Sequence, residues 1–131
     1  MNRASGREGE ELMSQNRTEV GIELAREIAG VQMPSFSTTP MADAARDFVF
    51  GEVWSRPGLD KRSRLWITLA CVAATGAPTP VSIYARAAVK SGLVTMEEMR
   101  EFVLQFAMYQ GFPKATVMDS ALNEVAVELA G

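Results

Sequence analysis

Along most of the chain, apolar residues recur at the spacing of a helix rather than alternating as in a strand. In "TEVGIELAREIAG", Val20, Leu24 and Ile28 fall on one stripe, and the pattern predicts a helix from Thr18, as N-cap, to Gly30, as stop. Residues 1–17 are polar and charged, with Gly6 and Gly9 among them, and read as a mobile polar tail. "VQMPSFSTTP" is a loop punctuated by Pro34 and Pro40. The next stretch, "MADAARDFVFGEVWSR", predicts a helix with Ala45, Phe48 and Val49 on its buried face, ended by Pro57-Gly58. Asp60 is a suitable N-cap for "KRSRLWITLACVAAT", whose run from Leu65 to Ala74 predicts a central helix buried on most sides. Thr79 as N-cap and Pro80 in the first turn open another helix, closed by Gly92. Thr95 and Glu98 fit a capping box ahead of the helix that ends in "FVLQFAMYQGFP". A last helix carries Met118, Leu122, Val125 and Leu129 on one stripe and runs to about Ala130. The pattern therefore predicts an all-α bundle of about six helices.

Composition narrows the picture. The 131 residues suit one compact domain, drawn here over 18–131. A net charge of −3 supplies no basic excess, so no nucleic-acid partner is expected. No apolar run has the length of a membrane span or the form of a signal peptide, which makes a cytoplasmic protein without a membrane partner the expectation. Histidine is absent, which removes the commonest general acid/base and the commonest metal ligand, and no metal or other cofactor is expected. Cys71 is the only cysteine, so neither an internal disulfide nor a CxxC motif exists. Its apolar setting "TLACVAA" points to inert packing. Eight methionines and the apolar stripe of the last helix favour self-association.

Few side chains remain that could carry chemistry. Glu52 follows Phe48 and Val49 by one helical turn, which would bring it out on an apolar face. There it is either a proton donor and acceptor in an enclosed site or one half of an ion pair with Arg56, Arg62 or Arg64. Arg64 enters the most apolar helix. It suits bidentate capture of a carboxylate, or else it is a surface arginine at the wet end of that helix. Tyr84 shares a face with Val81 and Ala88, as an ordinary core tyrosine would. Gln105 and Tyr109, one turn apart, form a strip that must face water, a polar cavity or another subunit.

The strings "FGEVWSRPGLDKRSRLWITLA" and "ARAAVKSGLVTMEEMREFVLQFAMYQGFPKA" resemble the carboxymuconolactone decarboxylase family, its decarboxylase branch in particular, from about Val20 onward. The resemblance implies an orthogonal, AhpD-like helical bundle assembled as a ring homo-oligomer, a trimer or hexamer. It implies a small-molecule substrate and chemistry without metal or organic cofactor. It also implies a pocket in which Glu52, Tyr84 and Gln105 are catalytic while Trp54, Arg64 and Tyr109 bind substrate. The decarboxylases carry histidines where this chain has Tyr84 and Gln105. The resemblance thus implies a lyase, isomerase or cyclase with altered chemistry, or a catalytically silent binding or assembly protein. The thiol-peroxidase relatives use paired cysteines, and Cys71 is alone.

Overall fold

A computed structural model describes the backbone of residues 3–131 and the side chains of residues 6–11 and 13–131. Every element among them is helical: α1 (Arg3–Ala29), α2 (Pro40–Ala44), a π-helix (Ala45–Val53), α3 (Lys61–Ala74), α4 (Pro78–Ser91), α5 (Met96–Gln110) and α6 (Phe112–Ala130). Two compact units emerge where the sequence pattern draws one domain. One holds the residues up to Glu27 with Val31–Leu59; the other holds Ile28–Gly30 with Asp60–Gly131.

In the first unit, α1 begins at Arg3 rather than at Thr18, so residues 3–17 of the expected tail are helical. Thr18 is no N-cap. Its hydroxyl lies 3.1 Å from the Ser14 carbonyl one turn back and 2.9 Å from the Asp47 carboxylate. Two glycines let α1 and the π-helix approach through their backbones. A Cβ on Gly21 would collide with the carbonyl oxygen of Arg46 and stand 3.3 Å from the amide nitrogen of Gly51. Arg46 is buried at 6% exposure and ties the loop before α2 to the π-helix. Its Nη1 donates to the carbonyls of Pro34 and Phe36 at 2.9 Å each, and its Nε to Asp47 Oδ1 at 2.7 Å. That Arg46 contact, helped by Thr18, holds the Asp47 carboxyl below its ordinary range against the opposing effect of burial. A buried charge so fully hydrogen-bonded is tolerated at little net cost.

The second unit is built around α6, which packs on α3, α4 and α5, with α3 also against α4. Leu65, Leu69 and Ala73 of α3, Val81, Ala85 and Ala88 of α4, Met99 of α5, and Met118, Leu122 and Val125 of α6 are buried. Each large side chain among them contributes about 1.5–3 kcal/mol of apolar burial. Leu129, expected on the same stripe of α6, is exposed. So is Cys71, a correction to its expected core role. For Cys71 the physical reason is that α3 buries only the row through Leu65, Leu69 and Ala73, so the rest of its apolar run stays partly or fully open. Asp60 caps α3 by accepting from the Ser63 amide at 2.7 Å, as its position suggests. α4 starts at Pro78, and its N-cap is Ala77 rather than Thr79.

Thr95 and Glu98 form the expected capping box at the start of α5. Glu98 is also paired with Arg62, whose guanidinium donates to the Leu93 carbonyl at 2.6 Å and lies 5.6 Å from the centre of the Trp66 ring. The Arg62 contact and the Thr95 amide hold the Glu98 carboxyl down at about 2. Because this folded-state value lies below the unfolded one, the contact's stabilisation is complete above about pH 4.5 and is lost as pH falls toward about 2. Glu98→Gln should therefore lower the thermal midpoint near neutrality. The gap from the parent protein should narrow through that acid window, as thermal melts across pH would show. A gap independent of pH would mean that the charge contributes nothing.

Candidate functional site

The π-helix sets the direction of Glu52. Its last turn closes with the Trp54 amide donating to the Val49 carbonyl at 3.0 Å, five residues back, where an α-helix would use Phe50. The wider turn brings Arg46, Phe50, Gly51 and Trp54 inward and leaves Phe48 and Val49 exposed. The expected apolar face of Phe48, Val49 and Glu52 is therefore corrected: Glu52 is exposed, because 3.6-residue periodicity does not hold over Ala45–Val53.

Arg17 of α1, absent from the sequence-based candidates, meets Glu52: its Nη1 donates to Oε1 at 2.7 Å. Arg62, one of the expected partners, pairs with Glu98 instead. Gly51 supports the Arg17 contact. A Cβ there would collide with the Arg17 carbonyl oxygen and stand 2.9 Å from its Cγ, so only a bare glycine lets the Arg17 stem lie against the π-helix. The pair sits in an open groove of about 720 Å³ within the first unit, lined also by Met13, Ser14, Ser55 and Arg56. This groove combines two carboxylates, Glu10 and Glu52, with guanidinium groups and hydroxyls, a set able to bind a small polar acid and to move a proton at Glu52. Trp54, two residues on, is buried with its ring stacked on Phe50 at 6.3 Å between centres.

The other expected site residues belong to the second unit. Arg64 lies in the first turn of α3 and is half-buried. Tyr84, midway along α4, is half-buried, and its burial pushes the phenol above its ordinary range. Gln105 and Tyr109 are both exposed on α5, as are Leu104 and Met108 and, at the start of α6, Phe112. Phe102, which precedes Gln105 by one turn, stacks between Trp66 at 5.7 Å and Phe106 at 5.8 Å. Glu52 and Trp54 thus share one unit, and Arg64, Tyr84, Gln105 and Tyr109 the other. Among the described residues, no group of three or more Asp, Glu or Cys side chains is placed to hold a metal ion, and no helix is long and apolar enough to cross a membrane.

Sequence periodicity missed Arg17, which lies in the stretch taken for a tail. The available signal was the pair of glycines, Gly21 four residues after Arg17 and Gly51 beside Glu52, since a helical glycine often marks a close backbone approach.

Residues 40–124 match the model of the carboxymuconolactone decarboxylase family. The chain is 30% identical over 125 residues to a 4-carboxymuconolactone decarboxylase of Acinetobacter baylyi, covering 90% of this chain and 92% of that one. Over 76 residues it is 37% identical to a nitrosuccinic acid decarboxylase of Metarhizium robertsii, covering 58% of this chain and 52% of the relative.

Proposed function

Since the chain belongs to the carboxymuconolactone decarboxylase family, we propose that it is a cofactor-independent enzyme acting on a small organic acid, lactone or enol in the cytoplasm. The observation that carries this reading is Glu52, open to a groove and held by Arg17, inside the "GEVWSRPGL" string of the family resemblance. The relatives are named for decarboxylating a lactone acid and a nitro acid. In both, a second electron-withdrawing group can hold the electron pair left behind as the carbon–carboxylate bond breaks and CO₂ departs. The same sink serves isomerase or cyclase chemistry that begins by proton loss.

In this reading Glu52 moves the proton, and Arg64 holds a carboxylate or enolate oxygen. Tyr84 and Gln105 supply neutral hydrogen bonds where the decarboxylases carry histidines, and Trp54 and Tyr109 bind the substrate's carbon frame. A tyrosine and an amide can stabilise a developing oxyanion without titrating near neutral pH. The exposed Leu104, Met108, Tyr109 and Phe112 support a homo-oligomer, a trimer or hexamer, whose contacts would cover them.

A second reading, a catalytically silent ligand-binding or assembly protein on this scaffold, is favoured by the missing histidines. Incubation with 4-carboxymuconolactone, nitrosuccinate and a panel of related small acids separates the two. The enzyme converts at least one, seen as a new mass or released CO₂, and Cys71→Ser leaves the rate unchanged. Retention of an acid through gel filtration without conversion supports the silent protein, and loss of turnover in Cys71→Ser points to thiol chemistry instead.

A further inference from the structure

We propose that Arg17 is a positioning residue for Glu52, so that α1, which lies outside the family-matched residues 40–124, completes the site. The inference rests on the reading of Glu52 as the proton-transfer group.

An exposed ion pair by itself contributes about 0–1 kcal/mol, too little to explain how closely this arginine is seated. Three features act together. Gly51 lacks the Cβ that would strike the Arg17 backbone and crowd its Cγ, so the stem runs over the residue next to Glu52. Gly21, one turn along α1, makes the reciprocal approach to the backbones of Arg46 and Gly51. The crossing of the two helices is thereby fixed by backbone rather than by adjustable side chains. Finally, Arg17 Nε is enclosed without a hydrogen-bond partner, while Nη1 reaches Glu52 Oε1 at 2.7 Å. Enclosing an unsatisfied N–H is unfavourable, so the seat holds the guanidinium against a local cost. A charge-assisted bond from a seated guanidinium fixes where Oε1 stands, as a proton-transfer group requires. Ser55 belongs to the same wall, with its hydroxyl 2.7 Å from the Gly51 carbonyl, and Arg56 and Glu10 also line the groove.

The test is a double-mutant cycle on turnover of whichever small acid the protein converts, with nitrosuccinate and 4-carboxymuconolactone as first probes. Arg17→Met should lower kcat about tenfold or more with KM changed less than about threefold, and Arg17→Lys should restore part of the loss. In a Glu52→Gln background, Arg17→Met should cost nothing further, because its route to the reaction is gone. Thermal melts of each variant separate this from unfolding. The proposal is overturned if kcat survives Arg17→Met, or if the same loss recurs in the Glu52→Gln background. If Glu52→Gln itself keeps full activity, the assignment of Glu52 falls first. The side-chain ¹⁵N–H signals of Arg17 then decide, as they do if neither probe nor related acid is converted. Hindered exchange and rotation that disappear on Glu52→Ala, which removes the acceptor, support the positioning contact, and an unchanged spectrum overturns it.

Discussion

Gly21→Ala should destabilise the first unit by about 3 kcal/mol or more, although alanine is the better helix former. The intrinsic preference for alanine over glycine inside a helix is worth about 1 kcal/mol in favour of the variant. Opposing it, the new Cβ would collide with the carbonyl oxygen of Arg46 and stand 2.8 Å from its carbonyl carbon and 3.3 Å from the Gly51 nitrogen. All three atoms are backbone, so no rotamer change relieves the contact, and α1 must move away from the π-helix. Overpacking in a tight interior costs about 1–3 kcal/mol where side chains can yield, and more where they cannot. Separation would also weaken the Thr18–Asp47 contact and the Arg17–Glu52 pair, which both bridge α1 and the π-helix. Gly51→Ala should behave alike, because its Cβ would meet the Arg17 backbone and stand 2.9 Å from its Cγ. Gly6→Ala is the internal control. Nothing lies within 4 Å of a Cβ there, and the residue is inside α1, so the same substitution should stabilise slightly. Urea unfolding of the three variants, with amide exchange to locate the loss, checks the ordering. A Gly21→Ala protein as stable as the parent would show that the two helices are not in backbone contact.

The glycines also mark the limit of what the sequence made legible. Where one helix face meets one core, apolar spacing was sufficient. The buried row Leu65, Leu69 and Ala73, the stripe Met118, Leu122 and Val125, the Asp60 cap and the Thr95–Glu98 capping box all follow from local pattern. Leu129 and Cys71 lie beyond that reach, because periodicity tells which residues share a face but not how far a neighbouring helix extends along it. Over Ala45–Val53 the rule itself changes. An α-helical reading turns Phe48 and Val49 inward, whereas the five-residue bonding of the π-helix buries Arg46, Phe50 and Gly51 instead. Nothing in a hydropathy pattern announces that change of period. Family resemblance, by contrast, does not depend on the local period. "GEVWSRPGL" led to the right family through the segment whose secondary structure was misread. Of the ion pair in the groove, only Glu52 stood out in the sequence as a candidate, and its partner Arg17 was hidden in a stretch with almost nothing to bury.

Under the proposed role of Glu52 as the proton-transfer group, Glu52→Gln should lower kcat by about 10² to 10⁴-fold, the range that positioned proton transfer contributes, and leave the fold intact. The substitution is nearly isosteric. The amide oxygen can still accept from Arg17 Nη1, and the side chain is exposed, so stability should shift by no more than about 0.5 kcal/mol. What disappears is the exchangeable proton. The chain contains no histidine, so no imidazole is available to take over the transfer, and the residual rate should be correspondingly low. Glu52→Asp offers the complementary case. It keeps a titratable carboxyl but withdraws it by one methylene from Arg17 and from the substrate, so its loss should be intermediate and should fall on kcat more than on KM. Steady-state kinetics on the converted acid, alongside thermal melts, decide the matter. If Glu52→Gln turns over at the parental rate while remaining folded, the proton comes from elsewhere. Tyr84, whose half-buried phenol holds its proton more firmly than usual, would be the next group to test.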